Sequence, residues 1–103
     1  MNLRQIHHVA IIVSDYKKSR KFYVETLGFQ IIRENYRPSR GDYKLDLKLE
    51  GCELELFSAS GNPPRPSYPE ACGLRHLAFR VDDVDAAIAE LREKGIEDRK
   101  SVV

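Results

Sequence analysis

An eight-residue segment occurs twice in this chain of 103 residues, 68 positions apart. His8-Val-Ala-Ile-Ile-Val-Ser-Asp15 lies over His76-Leu-Ala-Phe-Arg-Val-Asp-Asp83. His, Ala, Val and Asp match, and two further positions exchange apolar for apolar. Solenoid repeats have periods of about 20–50 residues, so this spacing points instead to two copies of a larger supersecondary unit. A chain of this length holds a single domain. Residues 1–103 are therefore read as one domain with two related halves.

Each copy opens with a β-rich run, Ile6 to Val13 or Leu74 to Val81, which ends at an acidic residue suited to cap a helix. Asp15 and Asp83 are the expected N-caps, because a carboxylate there accepts the free backbone N–H groups of the first turn. In the second copy Val84, Ala87, Ile88 and Leu91 form an apolar helical stripe. Tyr16, Phe22, Tyr23 and Leu27 do so less regularly in the first. Gly28 and Gly95 are the expected C-caps. Three strand-like segments follow the first helix: Phe29 to Tyr36, Tyr43 to Leu49 and Glu53 to Phe57, the last two alternating in polarity. The first unit thus reads β-α-β-β-β over 5–58. A Pro/Gly/Ser-rich linker covers 59–72. A partial second unit over 73–103 holds a strand, a helix and the start of another strand. Closing strands are missing from it, so either the chain is cut short or another chain completes the sheet.

Composition excludes several classes. Lys and Arg number 17 against 16 Asp and Glu, a net charge of +1, which provides no basic field for nucleic acid or an anionic membrane surface. No apolar run nears the roughly 20 residues of a membrane span. The opening Met-Asn-Leu-Arg-Gln has no signal-peptide core. Cys52 and Cys72 are too few for a disulfide scaffold, and a reducing cytoplasm is the default expectation. Cys52 shares the parity of Leu54 and Leu56 and reads as a small buried residue.

Strand parity assembles a constellation. His8, Ala10 and Ile12 share one face of the first strand, and His76, Ala78 and Arg80 share one face of its repeat. Both histidines point away from the helices, into one concave side, and Glu53, Glu55 and Phe57 have the parity to face it too. Lone histidines on strands are ordinary structural residues, but two at equivalent repeat positions favour a shared site. Two imidazoles and a carboxylate suit a borderline divalent ion such as Zn²⁺, Ni²⁺, Fe²⁺ or Mn²⁺. A donor set without thiolates leaves positions for water and substrate. His7, by parity, faces the helix side and is structural or exposed. Lys44 and Asp46 either line the cavity or face water.

The set His8-x4-Val13-x-Asp15, Phe22-Tyr23-x3-Leu27-Gly28-Phe29, Glu53-Leu-Glu-Leu-Phe57 and His76-Leu-Ala-x-x-Val81-Asp82-Asp83 resembles the vicinal oxygen chelate superfamily. Within it the resemblance is to glyoxalase I-like proteins (lactoylglutathione lyase). The resemblance implies an α+β fold of paired βαβββ modules around a metal, with the second module incomplete in this chain. It puts ligands on His8, Glu55 and His76. A fourth ligand, a last-strand Glu that serves as the main base, falls beyond Val103, so the chain as given is expected to be inactive or completed by something else. The ion implied is zinc or nickel, with iron, manganese or cobalt as alternatives. A homodimer is also implied.

The implied reaction isomerises a hemithioacetal, formed from a 2-oxoaldehyde and a thiol, by proton transfer through a metal-stabilised enediolate, with Glu55 as catalytic partner. Positions that grip glutathione in such proteins fall on Ile12 and Ala59, which carry no matching group. Arg80, the repeat counterpart of Ile12, and Arg37 are candidates to bind an anionic substrate tail; each is also readable as a surface arginine. The alternatives are a non-catalytic small-molecule-binding protein of the bleomycin-resistance kind, and another enzyme of the superfamily such as an epimerase or dioxygenase. Retention of His8, Glu55 and His76 counts against the binding protein. A Glu rather than Gln at 55 favours the glyoxalase branch over methylmalonyl-CoA epimerase.

Overall fold

Period-two alternation builds most of the ordered structure. The computed structural model describes residues 1–97. Strands β1 (His8–Ile12), β2 (Gln30–Arg37), β3 (Asp42–Leu49) and β4 (Cys52–Ala59) form one sheet in the order β1-β4-β3-β2. β1 runs parallel to β4, and the other pairs are antiparallel. With helices α1 (Tyr16–Arg20) and α2 (Val84–Glu93), this is the mixed α+β architecture expected. The chain divides into two compact units, residues 1–65 and residues from 66 onward.

In the first unit, Leu45, Leu47, Leu54 and Leu56 point to one face of β3 and β4 and form the core with Phe29. Val9, Ile11 and Val13 of the first-strand run pack against it, as parity requires. Asp15 caps α1, accepting from the Lys18 N–H at 3.1 Å. The single helix expected from Tyr16 to Leu27 instead widens after one turn into π-helical hydrogen bonding over Lys21–Thr26, with Leu27 N donating to Phe22 O at 2.9 Å. That spacing reconciles an irregular apolar pattern with the sheet, because Tyr16, Tyr23, Val24 and Leu27 all reach the core. Gly28, at φ +85°, turns the chain back into β2.

Tyr16 fastens this helix to the sheet. Its ring stacks on Tyr43 at 4.3 Å, and its hydroxyl donates to Glu34, which also accepts from Arg20 Nε at 2.7 Å. Burial raises the Tyr16 hydroxyl pKa, and the Glu34 hydrogen bond adds to this. Hydrogen bonds from Arg20 and Tyr16 lower the Glu34 carboxyl. The Arg37 hydrogen bond lowers Asp42 in the same way. A carboxyl lowered on folding stabilises the fold above its unfolded value, and that contribution is lost as pH falls through the folded one. Stability should therefore decline from roughly pH 4 downward. Glu34→Gln should remove about 1 kcal/mol at neutral pH and flatten part of this acid limb. Urea titrations across pH check both effects.

A β-bulge lies between Ile31 and Arg33 in β2, so that Ile31 opposes Leu47 and Arg33 opposes Asp46. The extra residue re-aims Arg33 onto the face that carries Asp46. The turn at Glu50-Gly51 joins β3 to β4, with Gly51 at φ +78°. Cys52 is half-buried rather than buried, because it opens β4 at the end of the sheet.

In the second unit, Asp83 caps α2 as expected, accepting from Ala86 N at 3.0 Å. Ala87, Ile88 and Leu91 are half-buried along it. The strand expected over Leu74 to Val81 does not form: this segment has no ladder among the described residues. A strand exists by its cross-strand hydrogen bonds, and alternation alone does not supply a neighbour. The start of a following strand was expected after this helix, where residues 98–103 lie outside the described part. Among the described residues no helix is long and apolar enough to cross a membrane.

Candidate metal centre on the sheet face opposite the core

β4 alternates Leu54, Leu56 and Ser58 inward with Glu53, Glu55 and Phe57 on the other face. The parallel ladder sets Ala10 directly opposite Glu55 and His8 opposite Glu53. His8 therefore reaches Glu55 diagonally, past the small Ala10 side chain, and His8 Nε2 lies 3.4 Å from Glu55 Oε2. Donors sharing one ion at bond lengths of about 2.1 Å stand roughly 3.0–3.4 Å apart, so this pair suits two positions on a divalent ion. The set is one imidazole and one carboxylate, a combination for zinc, nickel or iron rather than a structural thiolate site. Among the described residues no three His, Cys, Asp or Glu side chains cluster as a complete ligand set.

Lys44 and Asp46, which parity alone left between cavity and water, belong to this face. Asp46 opposes Glu55 on the ladder and is 1% exposed. Two carboxylates directly opposite would repel. Lys44 offsets this: its Nζ stands 3.1 Å from Asp46 Oδ1 and 3.6 Å from Glu55 Oε1. Arg33 Nε donates to Asp46 Oδ2 at 2.7 Å across the bulge. Asp46 Oδ1 still has no aligned hydrogen-bond donor among the described residues. The two oxygens of Glu55 are thus divided, Oε2 to His8 and Oε1 to Lys44. Lys44→Met should destabilise the fold by about 1–3 kcal/mol, since it leaves the buried Asp46 facing Glu55 without the ammonium. Lys44→Arg should recover much of that loss in equilibrium denaturation.

His7 departs from its expected parity. It precedes the ladder, which begins at His8, so pleating does not dictate its direction. Its Nδ1 lies 2.8 Å from His8 Nδ1, with the rings edge-on at 84°. Its Nε2 is 3.8 Å from Glu53 Oε2.

Further along the same face, a cleft of 330 Å³ is lined by Ala10, Ile12, Asp42, Phe57, Ala59 and Asn62. Arg37 stands beside it with its guanidinium carbon 5.0 Å from the centre of the Phe57 ring. Asp42 takes two of its donors, at 2.7 and 2.5 Å. His76 and Arg80 belong to the second unit, where both are exposed. Lys44, Asp46 and His7 are the residues that strand parity did not assign to the site. The i, i+2 spacing of Lys44 and Asp46 matched the Glu53/Glu55 face, but which face water covers was not written in it.

The family pattern described as Glyoxalase/Bleomycin resistance protein/Dioxygenase superfamily matches residues 5–102. The chain belongs to this superfamily. Members similar to it include the uncharacterized protein YwkD of Bacillus subtilis (strain 168), 60% identical over 98 residues that make up 94% of this chain and 77% of YwkD. The uncharacterized protein YaeR of Escherichia coli (strain K12) is 53% identical, over 93% of this chain and 75% of YaeR. The crystal structure of a glyoxalase family protein from Enterococcus faecalis superposes with a TM-score of 0.87 at 57% identity, over 94% of this chain and 77% of that one. More distant members carry named activities. Human mitochondrial methylmalonyl-CoA epimerase is 31% identical, over 92% of this chain and 56% of the epimerase. A probable lactoylglutathione lyase of Synechocystis is 31% identical, over 85% of this chain and 68% of the lyase.

Proposed function

We propose that this superfamily member is a metal-dependent lyase of the glyoxalase I kind, acting on the hemithioacetal of a small 2-oxoaldehyde and a thiol. The observation that carries this reading is the 3.4 Å approach of His8 Nε2 to Glu55 Oε2 on the sheet face away from the core. His8 and Glu55 would hold two positions on a divalent ion, zinc or nickel first. When bound, the ion acts as a Lewis acid on the substrate's adjacent oxygens, which makes the neighbouring C–H more acidic.

The residues do the rest. Glu55 takes part in moving a proton from one carbon of the adduct to the next. Lys44, on its other oxygen, keeps the carboxylate turned toward His8. The apolar walls of the cleft, Ala10, Ile12 and Phe57, receive the small aldehyde-derived part and exclude water from it. Arg37, beside Phe57, would attract an anionic tail of the thiol. Ile12 and Ala59 offer glutathione no charged grip, so a different low-molecular-weight thiol fits this chain better. A homodimer in a reducing cytoplasm completes the reading.

A second reading, epimerisation next to a thioester carbonyl, is supported by the 31% identity to methylmalonyl-CoA epimerase. It needs the same ion and the same kind of proton movement. The experiment is an assay of the metal-loaded full-length protein with methylglyoxal and a panel of thiols, alongside α-proton exchange of an acyl-CoA in deuterated water. Thioester formation with at least one thiol, lost in His8→Ala, is expected. Exchange on the acyl-CoA with no thioester from any thiol would overturn the lyase reading in favour of the epimerase.

A further inference from the structure

A metal-bound histidine has two ring nitrogens with opposite tasks. The coordinating one must present a lone pair, and the other then carries the proton and needs an acceptor. In this chain His8 Nε2 faces Glu55, which leaves His8 Nδ1 as the proton-bearing atom whenever Nε2 holds an ion. The group at that atom is His7 Nδ1, 2.8 Å away. Two imidazole nitrogens at this distance share one proton, so one ring donates and the other accepts. If His8 donates, His7 is the tautomer protonated at Nε2, a nitrogen that lies 3.8 Å from Glu53 Oε2. The backbone supports the arrangement, since His7 O accepts from Glu53 N at 2.9 Å. His7 thus sits at the His8 nitrogen that does not face Glu55.

We propose that His7 is the positioning residue of His8: its Nδ1 accepts the Nδ1–H of His8 and so keeps the Nε2 lone pair of His8 available beside Glu55. This rests on the reading of His8 as an ion ligand. His7 itself touches neither ion nor substrate. Its side chain is 77% exposed, so its replacement leaves the core intact. Asn can imitate the role, because its Oδ1 occupies nearly the place of an imidazole Nδ1 and accepts a hydrogen bond there. Ala offers no acceptor.

The test uses zinc titrations and ¹⁵N imidazole NMR on wild type, His7→Ala and His7→Asn at about pH 8, above the ordinary histidine range. The chain has three histidines, so each ring is assigned by single substitution. Wild type should bind zinc with His8 in the Nδ1–H form. His7→Ala should weaken zinc about 10-fold or more, the usual loss for an outer partner of a ligating histidine, and should shift the His8 Nδ1–H signal. His7→Asn should restore affinity to within about threefold of wild type, well inside that loss. If wild type binds zinc and His7→Ala binds it equally well with an unchanged His8 signal, the positioning role is overturned and the ligand role of His8 stands. If wild type binds no zinc at all, the metal reading is overturned and this assignment goes with it.

Discussion

Leu56→Ala should cost about 2–5 kcal/mol, a large share of the roughly 5–15 kcal/mol that holds a domain of this kind together. Leu56 is 0% exposed. It stands on β4, between Ile11 of β1 and Leu45 of β3, so its removal opens a cavity where two ladders meet. Five residues form the buried apolar core of the described chain, and so few neighbours have little freedom to collapse into the gap. Ile12→Ala is the control. Ile12 lies on β1 in the same sheet but is 67% exposed, and its loss should cost no more than about 1 kcal/mol. Urea denaturation followed by circular dichroism compares the two. Equal losses would contradict the placement of the core on the Leu45/Leu56 face.

The second large effect concerns the ion. His8→Ala should lower affinity for zinc or nickel by more than about 100-fold, because loss of an outer partner alone costs roughly 10–100-fold and a direct ligand counts for more. Stability without metal should change little, since His8 is half-exposed on β1 and contributes nothing to the core. Glu55→Ala should weaken the ion comparably, but it also frees Lys44 from one of its two carboxylate partners. Calorimetric titration of each variant measures both affinities. Retention of wild-type affinity in His8→Ala would remove His8 from the ligand set.

The sheet face of His8 and Glu55 was legible because alternation in β1 and β4 is regular and the inward positions Val9, Ile11, Leu54 and Leu56 are aliphatic. Asp15 and Asp83 were legible as caps because a carboxylate at a helix start has a specific acceptor task. Other features were hidden for identifiable reasons. The bulge at Ile32 lies in an Ile-Ile pair, where an extra apolar residue leaves no break in the pattern, yet it decides that Arg33 rather than Ile32 meets Asp46. Lys44 and Asp46 alternate as polar residues on any amphipathic strand do, and only the cross-strand register shows that Asp46 is buried against Glu55. His7 was assigned by a parity that starts one residue later, at His8. The repeat around His76 predicted a strand, but an isolated segment has no ladder to complete, so Leu74 to Val81 carries the pattern of a strand without its hydrogen bonds. His76 and Arg80 therefore rest, as site residues, on repeat symmetry and the family resemblance alone.

Ligation by His8 is tested most directly on the cobalt-substituted protein, by proton NMR of hyperfine-shifted ring N–H signals in ordinary and deuterated water. An exchangeable shifted signal from His8 is expected, absent in His8→Ala. A cobalt-loaded protein with no shifted imidazole N–H, or with the same signals after His8→Ala, would contradict a centre built on His8 and Glu55.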